Sequence, residues 1–173
     1  MSLRREACFL MCLCFLPAAA AVAGAQTTQN AAPAISLSVS GEVDKPLKLT
    51  AAEIARLPHR SVRTKGHDGN EAQFEGVPVI EVLKLAGVKF GEDLRGKNLA
   101  LYLLVDASDG YRAVYALPEL DPAYTDKLIL LADKREGKSL DEKEGPLRIV
   151  IPDEKQQTRW VRQVAGLVIK RAP

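Results

Sequence analysis

The only tryptophan of the chain, Trp160, lies in residues 158–169, TRWVRQVAGLVI, between Arg159 and Arg162. A guanidinium can hold a phosphate or carboxylate through two parallel hydrogen bonds, and an indole can stack on a planar ring. These residues therefore predict a site for a ring-shaped anionic ligand. An alternative interpretation is a core tryptophan with two solvated surface charges. Arginines three positions apart share one face of a helix, and on a loop they can still converge on one anion.

A second group of candidate residues lies in the motif GHDG. His67 and Asp68 could together bind a metal or contact a ligand. However, the two histidines of the chain, His59 and His67, lie well apart without other ligands at regular spacing, which makes a poor metal site. Because Asp68-Gly69 suits a tight turn, we predict a turn here, with a minor role for His67 at the mouth of a groove.

Two carboxylates, Asp106 and Asp109, flank another turn. Paired carboxylates can carry out acid–base chemistry, but Asp-Ser and Asp-Gly are also ordinary turn residues, and a turn better explains Asp106. The sequence contains no nucleophile elbow, phosphate-binding loop or zinc signature, so it does not indicate those classes of enzyme or binding site. The run DKREGKSLDEKEG predicts a charged, solvated loop and nothing more.

The first 25 residues have the pattern of a secretory signal peptide. Arg4 and Arg5 precede the apolar run CFLMCLCFLPAAAAVAG, and small residues allow cleavage near Ala25. This run is too short and too rich in alanine for a membrane span, so we expect export, with no direct membrane insertion. A bacterial periplasm is the expected location.

All the cysteines of the chain lie in this predicted signal, at Cys8, Cys12 and Cys14. The mature chain would therefore have no disulfide, no thiolate nucleophile and no thiolate ligand for a metal. This holds whatever fold the chain adopts.

The rest of the chain predicts one domain. The whole chain has 173 residues, of which 47% are hydrophobic and 27% charged, and this length suffices for one core. The formal net charge of +2 does not indicate nucleic-acid binding or attachment to a membrane surface. The polar residues 26–34 predict a disordered lead-in, and residues 35–171 the folded domain.

Alternating or continuous apolar patterns predict the strands. They occur in ISLSVSG, on both sides of Asp68-Gly69, in NLALYLLVDASDGYRAVYAL (a strand, a turn and a strand), and in KLILLADK, PLRIVIP and VAGLVIK. LTAAEIARLP predicts a helix with Thr50 as N-cap and Glu53 completing a capping box, VPVIEVLKLAG predicts a second that ends at Gly87, and PELDP a helical turn. About seven strands without regular βαβ alternation predict an α+β fold with mixed or mostly antiparallel sheets and a few short helices.

Three blocks of this sequence resemble a known family. FEGVPVIEVLKLAGV, DASDGYRAVYALPELDP and GPLRIVIPDEKQQTRWVRQVAGLVI, in this order and spacing, are similar to segments of the oxidoreductase molybdopterin-binding domain of sulfite-oxidase type. The resemblance covers nearly all of the mature chain and implies a single α+β domain of that fold. It also implies a groove in which a pterin is bound, with backbone N–H groups and basic side chains around its phosphate.

The resemblance implies a set of ligand-binding residues. They are Arg148, Arg159, Trp160, Arg162, Asp109 and Tyr111, with His67 at the groove mouth. The residue types suit a pterin, because a guanidinium binds phosphate, an indole stacks on a ring, and a carboxylate accepts the paired N–H groups of the amino-pyrimidine edge.

The sequence departs from the family at the metal ligand. Family enzymes hold molybdenum through a cysteine upstream of FEGVP, and an ungapped match places that cysteine near Thr64. Threonine and its neighbours do not replace a soft ligand, so we expect pterin binding without molybdenum and without a metal site. Small stand-alone periplasmic members that lack this cysteine resemble pterin sensors that contact the periplasmic domain of an inner-membrane signalling protein. We therefore expect a non-catalytic regulator; the alternative is a molybdopterin-dependent sulfite- or sulfoxide-type oxidoreductase with a non-cysteine metal environment.

Overall fold

The structure, a computed structural model, describes residues 36–66, 68–152 and 154–173. The predicted signal peptide (1–25), the predicted lead-in (26–34) and His67 lie outside the described residues. None of the helices in the described part of the chain is both long and apolar enough to cross a membrane.

Ten strands, two α-helices and four short 3-10 helices make up the described residues. The strands are β1 (Ser36–Gly41), β2 (Leu47–Thr50), β3 (Arg60–Lys65), β4 (Glu71–Pro78), β5 (Leu101–Ala107), β6 (Arg112–Ala116), β7 (Leu130–Arg135), β8 (Lys138–Ser139), β9 (Arg148–Val150) and β10 (Val164–Arg171). The α-helices are α1 (Ala51–Ile54) and α2 (Val79–Leu85). The 3-10 helices are Gly91–Asp93, Gly96–Ala100, Leu117–Glu119 and Gln157–Arg159.

These strands form two five-stranded sheets. The first has the order β2-β1-β10-β5-β6, and the second has the order β3-β4-β7-β8, with β9 also paired to β7. Only β1 and β10 are parallel among the described pairs, and the others are antiparallel. The predicted α+β class, with mixed and mostly antiparallel sheets and a few short helices, is confirmed.

Local sequence explains the elements that lie beside the site. In β5 every second side chain is buried, because successive side chains of a strand point to opposite faces. The predicted capping box is present: the Thr50 hydroxyl accepts a hydrogen bond from Glu53 N–H, and the Glu53 carboxylate accepts one from Thr50 N–H at 2.7 Å. Helix α2 buries Val79, Val82 and Leu83 and is followed by Gly87 at φ 81°.

Two strands were not predicted from the sequence. β2 has four residues, and β8 has two residues that pair with the end of β7. The prediction that DKREGKSLDEKEG is only a solvated loop is wrong. This run completes β7, forms β8, and contributes Arg135 and Glu144 to ion pairs next to the candidate site.

Side chains from both sheets contribute to one buried cluster. Phe74 of β4 and Leu103 of β5 are fully buried in it, and Trp160 and Val161 from the connection between β9 and β10 are also members. That connection passes from the second sheet to the first, so its inward side chains belong to the core while its outer side chains line a cavity.

Candidate functional site

One cavity brings together most of the side chains that the sequence indicates. It has a volume of about 260 Å³ and is lined by seven residues: Asp109, Tyr111, Arg148, Gln157, Thr158, Trp160 and Arg162. Five of the seven predicted binding residues are among them, namely Asp109, Tyr111, Arg148, Trp160 and Arg162. We call this cavity the Trp160 pocket.

The pocket lies between two segments that hydrogen bonds hold together. The β5–β6 turn closes through Tyr111 N–H, which donates to Asp109 Oδ1 at 2.9 Å, and through Gly110, whose φ of 87° suits glycine. The hydroxyl of Tyr111 donates to the carbonyl of Thr158 at 2.6 Å. Ser108 N–H donates to the carbonyl of Gln163 at 2.9 Å. The turn is therefore fastened to residues 158–163 at two places.

Trp160 belongs to both the core and the pocket. Its side chain is 4% exposed, and its ring meets Phe74 edge-on, with the ring centroids 6.1 Å apart. The indole Nε1 is buried and has no hydrogen-bond partner in the described part of the chain. Buried donors are normally satisfied, so this N–H is an unsatisfied donor in the wall of the pocket. Trp160 is thus a core residue that also lines the cavity, and its role in binding a ligand stays a prediction.

Arg148 is the most deeply buried charge beside the pocket. It is 1% exposed, and its guanidinium carbon lies 5.5 Å from the Trp160 ring and 5.2 Å from the Phe74 ring. Its Nη1 lies 2.6 Å from Glu144 Oε1, but neither Nη1 nor Nε makes a well-aligned hydrogen bond to the described residues. Burial lowers the pKa of Arg148 below its usual range, and Glu144 opposes that shift.

A chain of ion pairs extends from Arg148 towards the β3–β4 hairpin. Arg135 lies 3.6 Å from Glu144 and 2.7 Å from Asp68, and its guanidinium lies 5.6 Å from the Phe74 ring. The hydrogen bond from Arg135 lowers the pKa of Asp68 to about 2. The sequence did not indicate Arg135 or Glu144. Opposite charges that are distant from each other within a charged run form no sequence pattern that indicates an ion pair. They become neighbours only through the pairing of the strands.

The structure does not bring Arg159 into the pocket. Its guanidinium binds the carboxylates of Glu119 and Glu154 and lies 5.0 Å from the Tyr115 ring. Burial opposes its charge, but the two carboxylates outweigh that effect and raise the pKa of Arg159 above its usual range. The Tyr115 hydroxyl donates to the carbonyl of Arg159, and burial raises the pKa of that hydroxyl. Arg159 thus fastens the 3-10 helix Gln157–Arg159 to the rest of the fold.

The remaining lining residues offer both donors and acceptors. Arg162 is exposed, and Asp109 uses only one carboxylate oxygen in its turn. Gln157 donates through Nε2 to the carbonyl of Lys65 at 2.6 Å, while its buried Oε1 has no partner among the described residues. The pocket therefore suits a ligand that both donates and accepts hydrogen bonds, as an amino-pyrimidine ring does.

The position at which the family resemblance places a thiolate is next to this pocket. Thr64 lies in β3, and its hydroxyl donates to the carbonyl of Pro152 at 3.1 Å. The next residue, Lys65, accepts the bond from Gln157. Within residues 36–66, 68–152 and 154–173, no group of three His, Cys, Asp or Glu side chains could hold a metal ion. A threonine hydroxyl is a hard oxygen donor and does not offer the soft ligand that a thiolate would supply near this place.

A larger cleft lies elsewhere on the molecule. It has a volume of about 420 Å³ and includes His59, whose Nδ1 lies 2.7 Å from the carbonyl of Leu57 and whose Nε2 lies 3.3 Å from Asp133 Oδ2. His59 is thus half-buried and held by two acceptors. None of the six predicted binding residues that the structure describes lines this cleft.

Comparison with known proteins agrees with the fold and with the family resemblance. The family model described as the oxidoreductase molybdopterin binding domain matches residues 24–173. The chain belongs to the oxidoreductase molybdopterin-binding domain family. This confirms the resemblance inferred from the three sequence blocks, and because the family binds molybdopterin it is consistent with a pterin-type cofactor.

A solved structure shows the same fold. The sulfane dehydrogenase SoxCD from Paracoccus pantotrophus is 21% identical, with a TM-score of 0.62 over 78% of this chain. The match covers 37% of the SoxCD chain, so this chain spans well under half the length of that relative. No curated protein matches the sequence.

Proposed function

We propose that this chain is an exported, periplasmic pterin-binding protein that does not itself catalyse a redox reaction and that regulates an inner-membrane signalling protein. The observation that carries the proposal is the Trp160 pocket. It combines unpaired hydrogen-bond donors on Trp160 and Arg148 with acceptors on Gln157 and Asp109. Membership of a family that binds molybdopterin supports a pterin as the ligand of this pocket.

The chemistry of a pterin matches these groups one by one. The amino-pyrimidine edge carries paired N–H donors, which the carboxylate of Asp109 can accept. The ring oxo group and ring nitrogens can accept from Trp160 Nε1 and from the arginines. Arg162 is exposed and can hold an oxygen of the ligand's side chain or of a phosphate. A buried donor that gains a partner on binding removes a desolvation penalty of about 1–3 kcal/mol.

The predicted mature chain has no thiolate that could coordinate molybdenum. This supports the proposal that the protein does not itself catalyse a redox reaction. In the family, molybdopterin supplies a dithiolene that holds molybdenum for oxygen-atom transfer, and a protein thiolate completes the metal's environment. The cysteines of the chain are at positions 8, 12 and 14, and the ungapped match places the family cysteine near Thr64, whose hydroxyl donates to the carbonyl of Pro152. We therefore derive no step that passes through a metal.

The location and the partner rest on the sequence. Arg4, Arg5 and the apolar run that follows them have the signal pattern, and a chain exported unfolded would not carry a cofactor assembled in the cytoplasm. Stand-alone members without the thiolate resemble sensors of this kind. The proposed partner is the periplasmic domain of an inner-membrane enzyme that makes or degrades a cyclic dinucleotide.

Isothermal titration calorimetry with tetrahydromonapterin tests whether the protein binds a reduced pterin. The purified protein should bind it with a dissociation constant below 100 μM, which corresponds to a site of roughly 5 kcal/mol or more. Arg162→Gln should weaken binding about tenfold, because it removes one charge-assisted hydrogen bond. Arg95→Gln, a change at an exposed arginine paired with Glu92 away from the pocket, is the matched control. A wild-type protein that binds nothing at this concentration would overturn the proposal.

The regulatory role needs a measurement in cells. A strain that carries only Arg162→Gln should show the same change in cyclic-dinucleotide level as a strain that lacks the protein. The Arg95→Gln strain should keep the wild-type level. Equal levels in all of these strains would remove the signalling partner from the proposal while leaving pterin binding intact.

Family membership itself favours a second candidate, a molybdopterin-dependent oxidoreductase with a non-cysteine metal environment. Expression in a host that makes molybdopterin, followed by metal analysis, separates the two. We expect less than a tenth of an equivalent of molybdenum. One equivalent that withstands gel filtration would replace our proposal with the enzyme.

A further inference from the structure

Two aromatic side chains line the Trp160 pocket, and they differ in the fraction that is exposed. Trp160 is 4% exposed, whereas Tyr111 is 49% exposed. The Trp160 ring is already in contact with Phe74 at its edge and with the Arg148 guanidinium. Stacking requires an uncovered ring face, and only one of these two rings offers a large one.

We propose that Tyr111 is the residue on which a planar heteroaromatic ligand stacks, and that Trp160 forms the wall and donates its N–H. This inference rests on the proposed function, because it assigns the binding surface within the same pocket. It changes the role that the sequence suggested, in which the indole was the stacking ring.

The Tyr111 ring is held in place before any ligand arrives. Its hydroxyl donates to the carbonyl of Thr158, and its backbone N–H donates to Asp109 Oδ1. The carbonyl of Tyr111 accepts a bond from Ala107 N–H at 2.9 Å. A ring fixed at both its backbone and its hydroxyl loses little further freedom when a ligand covers it, so more of the contact energy is available for binding.

The same turn also selects the class of ligand. Asp109 is two residues from Tyr111, lines the same pocket, and keeps one carboxylate oxygen free of the turn hydrogen bond. A flat ring on Tyr111 would therefore have an acceptor near its edge. The turn favours planar heterocycles that carry N–H groups on one edge over planar rings that carry only acceptors there.

Tyr124 provides a matched control for Tyr111. It is 48% exposed, and its hydroxyl likewise donates to a backbone carbonyl, that of Leu94. It does not line the Trp160 pocket. A leucine at position 111 or 124 thus removes the same ring and the same kind of hydrogen bond, inside and outside the pocket.

The test is calorimetric titration of tetrahydromonapterin into wild type, Tyr111→Leu, Tyr111→Phe and Tyr124→Leu, with thermal unfolding of each. Tyr111→Leu should weaken binding about fivefold, since an aromatic stacking contact is worth about 1 kcal/mol beyond its burial. Tyr111→Phe keeps the ring and should stay within about threefold of wild type. Tyr124→Leu should bind as wild type does.

Each other outcome contradicts the inference in its own way. If wild type binds and Tyr111→Leu binds within twofold of it, the ligand does not stack on Tyr111, and the proposed function stands without this assignment. If Tyr111→Phe binds the pterin as weakly as Tyr111→Leu does, binding depends on the Tyr111 hydroxyl and not on its ring. A wild-type protein that binds no pterin overturns both the inference and the proposed function.

Discussion

Arg159 and Arg148 have opposite surroundings. Arg159 is 30% exposed and meets two carboxylates, and its pKa is raised. Arg148 is 1% exposed and meets one carboxylate, and its pKa is lowered by burial. The first arginine has its hydrogen bonds satisfied by the protein itself. The second retains unpaired N–H groups in the wall of a cavity.

This difference indicates that Arg159 stabilises the fold, whereas Arg148 can bind a ligand. A guanidinium with two carboxylate partners gains little from an added anion, because its charge is already compensated. A buried guanidinium with a single partner keeps part of its desolvation cost, which a ligand can offset. A buried charge with a perturbed pKa in the wall of a cavity marks a candidate functional site.

The largest effect should come from Arg148→Met. It leaves Glu144 without its closest cation, and we expect a loss of about 3 kcal/mol in the free energy of unfolding and no measurable pterin binding. Adding Glu144→Gln should restore most of the stability, measured by urea denaturation, without restoring binding. If the double variant bound pterin with wild-type affinity, Arg148 would have no part in the site.

Arg159→Met tests the other half of the comparison. We expect a loss of about 1 kcal/mol in stability, because the ion pairs are partly exposed and Glu119 and Glu154 would be left facing each other. Pterin affinity, measured by calorimetry well below the unfolding temperature, should change by less than about threefold. A drop in affinity larger than tenfold with unchanged stability would place Arg159 in the binding site after all.

Asp109→Asn removes a charge without disturbing the turn, because the amide oxygen can still accept from Tyr111 N–H. We expect pterin affinity to fall about tenfold, since a hydrogen bond to a charged group is replaced by one to a neutral group. Asp106→Asn is the control, because Asp106 pairs with Arg112 outside the pocket. Equal affinity of the two variants would remove Asp109 from the recognition of the ligand.

The smallest effect concerns Asp68, at the outer end of the ion pairs that begin at Arg148. The pKa of Asp68 is lowered to about 2 from 3.8. A carboxyl whose folded pKa is depressed contributes stability that is present above its unfolded pKa and is lost as the pH falls through the folded value. The stability difference between wild type and Asp68→Asn should therefore be constant from pH 7 to about pH 5 and should shrink towards about pH 2. A difference that grows on acidification would contradict this ion pair.

The sequence was enough to predict the fold class and most of the pocket, for identifiable reasons. Strand alternation and the Thr50–Glu53 capping box are local patterns, so they can be recognised in the sequence without knowledge of the tertiary structure. The pocket residues lie in two of the three blocks whose order resembles a known family, and five of the predicted binding residues line one cavity.

The rest depends on geometry that sequence spacing does not contain. Arg159 ends a 3-10 helix, and Trp160 leaves it at ψ 72°, so the helical spacing of Arg159 and Arg162 does not put them on one face. Arg159 turns to Glu119, forty positions away, while Arg162 remains at the pocket. The partnership of Glu144 with Arg135 and Arg148 likewise arises only where β7 and β9 lie side by side.

The single tryptophan has a spectroscopic consequence. Trp160 is the only indole of the chain, so all of its tryptophan fluorescence comes from the wall of one pocket. The emission senses the Arg148 charge beside the ring and any absorbing molecule that enters the cavity. In the folded protein, a change in intensity or wavelength on adding a ligand therefore reports on the surroundings of this pocket. The chain carries its own optical probe, and no label is needed to follow ligand exchange.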